Sequence, residues 1–287
     1  MKTIIVPLDF SSESMTGLNL ALMLANKTKS NIQLVHVIGK NSDGNKENSE
    51  RENQLAKKKF EEILVKCKEN GDINCAMNYN IREGKTFIEI TDLADKFEDS
   101  VIVLSTHGES GFEELFIGGN AYKIASHSKN PVITIRGGKI SSGINKIVMP
   151  LDITYKTREK VPYTVNLAKS FNAEIHVVTV RESKMKSIEK KLHQYSEQVA
   201  IYLDTHGIRF TIEHLYGNNL TDITIDYANS LKADMISIMT EQEKSFTNLL
   251  LGNYAHQMIN KATIPVLLFP TYRLGELLED FRASGVV

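Results

Sequence analysis

Cysteine is scarce in this chain, with only Cys67 and Cys75 among 287 residues. They show no CxxC spacing and no histidine in ligand register, so the sequence offers neither a disulfide framework nor a zinc site. An excess of charge is missing as well. Lys plus Arg number 34 against 35 Asp plus Glu, which leaves no strong field to draw nucleic-acid phosphate or an anionic membrane surface, and neither partner is expected. No apolar run approaches membrane-spanning length. The opening MKTIIVPLDFSSES turns polar too early for a signal peptide, and the expectation is a cytoplasmic protein.

Catalytic signatures are also lacking. Gly84-Lys85-Thr86 resembles the end of a Walker-type phosphate loop, but Tyr79 stands where that motif requires its first glycine. No GxSxG elbow occurs. Ser105, His107 and Asp9 make a poor nucleophile set, because two of them sit two residues apart at one strand end. His107 alone suits a loop hydrogen bond or a titrating group near neutrality. An enzyme is therefore disfavoured.

What the chain does have is an internal repeat. Residues 2–14 (KTIIVPLDFSSES) match 145–157 (NKIVMPLDITYKT) at an offset of 143, which lays Asp9 on Asp152. The same offset lays Ile32–Val37 on Ile175–Val180. Further on, 92–108 matches 226–242 and 130–137 matches 264–271 at an offset of 134. The shift arises from a polar insertion at 39–52, read as a mobile loop leading into a helix. Each copy is one domain long, and 41% hydrophobic with 24% charged residues suits two ordinary globular domains. The expected division is 1–138, 144–272 and a helical tail over 273–287. The Gly- and Ser-rich GGKISSG (137–143) serves as linker.

Short β-branched runs alternate with helical periodicities, the pattern of βαβ units and a parallel sheet. The first copy predicts strands near 2–8, 32–38, 73–81, 101–105 and 131–136, and helices near 12–28, 50–69, 86–97 and 119–127. The first helix is capped by Ser11 or Ser12. The expected fold class is α/β, two domains each with a five-stranded parallel sheet and helices on both faces.

Ligands of such sheets bind beyond the strands' carboxyl ends. Strand one of the first copy ends in Pro7-Leu8-Asp9. Asp9 can accept hydrogen bonds from a ribose hydroxyl or base amino group, or serve the helix start as a cap. Strand four ends in Leu104-Ser105-Thr106-His107-Gly108, and Gly118-Gly119-Asn120 precedes the next helix. Glycines there let backbone approach a ligand, and the free N–H groups of a helix start attract phosphate.

On these residues the chain resembles a tandem universal stress protein, a family whose nucleotide-binding members carry Gly-x-x-Gly, nine residues, then Gly-Ser or Gly-Thr. The resemblance implies a Rossmann-like fold of the adenine nucleotide alpha hydrolase type. It also implies that Pro7, Asp9 and Val37 border an adenosine. His107, Gly108 and Gly118 match the family pattern, while Ser105 stands for its first glycine and Gly119 for its Ser or Thr. The implied cofactor is ATP or another adenine nucleotide, with or without magnesium, held by Pro7, Leu8, Asp9, Val37, Leu104, Ser105, Thr106, His107, Gly108, Gly118, Gly119 and Asn120.

The second copy reads Met239-Thr240-Glu241-Gln242, then Gly252-Asn253-Tyr254. Met239 and Gln242 crowd the loop, and Glu241 and Glu243 oppose a triphosphate, so this site is expected to be empty or to take something else. The last strand of each copy opens on a proline and suits a sheet edge. From the family's dimers, an intramolecular pseudo-dimer through these strands and a further homodimer are implied. The resulting expectation is a regulatory stress-response protein that binds ATP in its first domain. A ligand-free dimeric scaffold or interaction module is the alternative, and a slow ATP hydrolase is the lesser one.

Overall fold

The computed structural model describes residues 1–39, 46–71, 75–106, 119–137, 140–240, 243–244 and 249–271. The chain divides into two compact units, Met1–Ile140 and Ser141–Val287.

In the first unit β1 (Thr3–Pro7), α1 (Ser12–Thr28), β2 (Asn31–Ile38), α2 (Lys46–Glu69), β3 (Met77–Glu83), α3 (Thr86–Ala94), β4 (Ser100–Ser105), α4 (Gly119–His127) and β5 (Val132–Ile135) follow in order. The strands lie as β3-β2-β1-β4-β5, every neighbouring pair parallel. The chain moves outward from β1 to β3 and returns to the other side of β1 for β4. Strand order thus reverses between β1 and β4, where a crevice opens at the carboxyl ends.

Consecutive residues of β1, Ile4, Ile5 and Val6, are fully buried, which requires cover on both sheet faces. The helices supply it: α1 packs against β1, β2, β4 and β5, and α3 packs against β1, β2, β4 and α4. Close packing of α1 depends on Gly17, since a Cβ there would lie 3.2 Å from the Ser105 amide nitrogen and 3.5 Å from Leu104.

The second unit repeats this plan. It comprises β6 (Lys146–Leu151), a 3-10 turn (Tyr155–Arg158), α5 (Val161–Phe171), β7 (Glu174–Arg181), α6 (Lys186–Thr205), β8 (Phe210–Tyr216), α7 (Leu220–Ser230), β9 (Met235–Met239), short β10 (Glu243–Lys244) and β11 (Leu249–Leu250), α8 (Asn253–Lys261) and β12 (Val266–Phe269). Its parallel strands lie as β12-β9-β6-β7-β8, and β10 pairs antiparallel with β11.

Three differences from the sequence expectation have physical causes. The polar insertion is helical from Lys46 onward, because it is rich in good helix formers and sets Glu47 four residues before Arg51. The third strand runs to Glu83 rather than ending at 81. As a half-exposed edge strand it carries little apolar signal. In the second copy the counterpart of α1 starts later than the repeat offset of 143 would carry Ser12. Pro162 lacks an N–H and its ring conflicts with the carbonyl four residues earlier, so the α-helix starts only at Val161 and a 3-10 turn precedes it. The expected tail helix over 273–287 and residues 40–45 lie outside the described residues.

Candidate functional site

Strand β1 ends at Pro7, and the chain turns through Leu8, Asp9 and Phe10 into α1. Asp9 Oδ1 accepts hydrogen bonds from the Ser11 amide at 3.0 Å and the Ser11 hydroxyl at 2.6 Å. Ser11 is the helix N-cap, and its Oγ accepts from the Ser14 amide at 3.1 Å. Asp9 is thus one step removed from capping. It orients the residue that caps.

The turn is strained. Phe10 has φ of 68°, a left-handed conformation that is a genuine outlier for a bulky side chain. Its ring packs on His36 and Phe60 at 4.7 and 5.1 Å between centroids, under the Lys59 ammonium at 4.7 Å. The His36 Nδ1–H donates to the Leu8 carbonyl at 2.7 Å. These contacts hold a conformation the backbone alone disfavours.

Around this turn lies a cleft of about 210 Å³. Pro7, Leu8 and Asp9 line it from β1, Val35, His36 and Val37 from β2, and Leu104, Ser105 and Thr106 from β4. Helix α1 adds Ser14, α3 adds Thr86 and Ile90, and α4 adds Gly119, Asn120, Ala121 and Ile124. The cleft therefore sits at the switch point of strand order and faces the N-terminal turns of α3 and α4. A helix start presents unpaired N–H groups and the positive end of its dipole, which favours an anion. Asp9 is the carboxylate of the described lining, so anion-seeking helix ends and a hydroxyl- or amine-seeking group share one cavity.

Of the twelve residues expected from sequence, the structure brings together Pro7, Leu8, Asp9, Val37, Leu104, Ser105, Thr106, Gly119 and Asn120. His107, Gly108 and Gly118 lie outside the described residues. Ser14, Val35, His36, Thr86, Ile90, Ala121 and Ile124 were not anticipated. Thr86 could have been: it is the first residue of a helix that follows a strand's carboxyl end. Among the described residues no group of three or more His, Cys, Asp or Glu is placed to hold a metal ion, so nothing there supports the expected magnesium. No described helix is long and apolar enough to cross a membrane.

The second unit has the same frame with other contents. Asp152 Oδ1 accepts from the Thr154 amide and hydroxyl at 2.7 and 2.5 Å, as Asp9 does from Ser11. The cavity beside it measures about 10 Å³ and is lined by Pro150, Asp152, Thr157, Lys160, Val180, Leu220, Ile238, Met239 and Tyr254. Of the residues expected to bar a nucleotide, Met239 lines this cavity and Glu243 opens β10, while Glu241 and Gln242 lie outside the described residues.

Two doubly wound domains with a cleft at a switch point place the molecule among tandem Rossmann-like α/β proteins. The model of the universal stress protein family matches residues 1–136 and again 143–270. The chain belongs to that family, carrying two copies of its domain. A curated relative, universal stress protein MJ0531 of Methanocaldococcus jannaschii, is 27% identical over 137 residues, which cover 43% of this chain and 80% of the relative. Among solved structures, a universal stress protein of Archaeoglobus fulgidus superposes with a TM-score of 0.76 at 16% identity, covering 93% of this chain and 98% of its own. A protein of Pseudomonas aeruginosa PAO1 gives 0.65 at 16% identity, covering 99% and 97%. Both likenesses concern the fold.

Proposed function

We propose that the first repeat binds an adenine nucleotide, ATP foremost, and that the protein acts as a cytoplasmic regulatory binding protein of the stress response rather than as an enzyme. The observation that supports this most is the first cleft itself. It joins the Asp9 carboxylate, suited to a ribose hydroxyl or base amino group, to the start of α4, suited to phosphate. The family's nucleotide-binding pattern, matched in part at His107, Gly108 and Gly118, points the same way. Ligand occupancy is then read out by the segment between β4 and α4.

The test is differential scanning fluorimetry of the intact chain with ATP, since a ligand that binds only the native state raises apparent stability by mass action. ATP is expected to raise Tm in the wild type. It is expected to leave Tm unchanged in a Ser105→Met, Asn120→Tyr double variant, which fills the first cleft with side chains from the second. Equal shifts in both proteins would place the ligand elsewhere, and no shift in either would leave the ligand-free scaffold as the reading. Product analysis of the same samples over hours tests the remaining rival, a slow hydrolase.

A further inference from the structure

Four positions around the two clefts correspond by the repeat offsets, and at each the second copy carries the larger side chain. Gly17 becomes Lys160, Thr86 becomes Leu220, Ser105 becomes Met239 and Asn120 becomes Tyr254. Thr86, Ser105 and Asn120 line the first cleft, and all four second-copy residues line the remnant in the second. The cavity falls from about 210 to about 10 Å³, room for at most one water molecule.

Lys160 is the largest of these changes. It is 2% exposed, and its Nζ donates to the Thr157 carbonyl and, at 3.4 Å, to the Thr157 hydroxyl. An ammonium is withdrawn from water only where such acceptors meet it. Tyr254 lines the same remnant, and its hydroxyl hydrogen-bonds Thr224 at 3.1 Å. Thr224 corresponds to Ile90 of the first cleft, so this bond has no counterpart there. Pro162 completes the change of route. By delaying the helix to Val161 it sets Lys160 at the N-cap rather than inside a regular helix, where Gly17 sits.

We infer that the second cleft is occupied by the protein itself, with Lys160 as the plug and Leu220, Met239 and Tyr254 as its packing, so that the second repeat is held in a filled state that no ligand enters. The two repeats then have separate tasks: one exchanges ligand, and the other keeps a ligand-independent conformation. The first part of that division rests on the nucleotide reading above. The closure of the second cleft does not.

Val37 and Val180 are equivalent, line their respective clefts and are replaceable by a thiol of similar size. Val37→Cys and Val180→Cys proteins are reacted with a water-soluble thiol reagent without any nucleotide, and peptide mapping separates the introduced thiol from Cys67 and Cys75. The thiol at position 37 is expected to react more than about tenfold faster than that at 180, whose reaction requires local opening. Adding Lys160→Gly to Val180→Cys is expected to raise the rate by about tenfold or more, while Lys160→Met, which keeps the bulk, leaves it slow. If the Lys160→Gly protein lacks a cooperative melt, Lys160→Ala is read by the same criterion. Similar rates at 37 and 180, or a rate at 180 indifferent to shortening Lys160, would overturn the inference.

Discussion

Asp9 and Ser11 meet through two hydrogen bonds on a single carboxylate oxygen, and the same Ser11 hydroxyl passes the interaction on to the Ser14 amide. The relay separates two roles at the mouth of the cleft. Ser11→Ala is expected to cost about 1 kcal/mol of stability, the usual value for a lost N-cap, with ATP affinity little changed. Asp9→Ala is expected to show a similar loss of stability together with a clear loss of ATP affinity. Urea unfolding and nucleotide titration of both variants check the separation. Equal affinities in the two would leave Asp9 a purely structural residue.

Gly17 couples the first helix to the end of β4. Valine at this position would press against the Ser105 amide and the Leu104 backbone, neither of which can move without disturbing the buried strand. Gly17→Val is therefore expected to destabilise by about 1–3 kcal/mol, the range for overpacking a filled site. A urea midpoint equal to that of the wild type would show that α1 shifts freely.

Phe10 opposes backbone preference with side-chain packing. Phe10→Gly relieves about 1–2 kcal/mol of left-handed strain but removes the contacts with His36, Phe60 and Lys59. Truncation of a buried Phe commonly costs about 3–5 kcal/mol, and this half-buried ring should lose a smaller but still dominant amount. Net destabilisation is expected. A more stable variant would mean that the ring contributes less than the strain.

His176 on β7 is 5% exposed, with Nδ1 and the Thr211 hydroxyl hydrogen-bonded at 2.8 Å. Burial pushes its pKa below the ordinary 6.5, only partly offset by Glu174 at 3.6 Å. Below that value the unfolded chain binds a proton that the folded chain resists, so this residue's contribution to stability falls as pH drops from the ordinary value toward the lowered one. His214 is shifted the same way by burial and by His193. His176→Gln is expected to lessen the stability lost between about pH 7.5 and about pH 5.5. An unchanged pH dependence, measured by urea unfolding, would contradict this assignment.

Much of the fold could be read from the chain because a parallel sheet buried on both faces leaves runs such as Ile4-Ile5-Val6 and Val101–Leu104 in the sequence. Less legible was whatever depends on exposure or distant packing. Edge strand β3 has no such run, and the charged start of α2 resembles a loop in composition. In the candidate site, residues ending strands β1 and β4 followed from the rule for open sheets and Val37 of β2 from the family resemblance, whereas Ser14, Thr86 and Ile90 come from helices that fold over the cleft. The repeat offset already set Lys160 against Gly17. That Lys160 lies within a cleft depends on Pro162 changing the helix start, a relation visible only in three dimensions.

Nucleotide binding in the first cleft is tested most directly by isothermal titration calorimetry of the intact chain with ATP, beside the Ser105→Met, Asn120→Tyr variant. A single saturable site per chain is expected in the wild type and none in the variant. Absence of heat and of thermal shift at millimolar ATP, or binding that survives the filled first cleft, would contradict it.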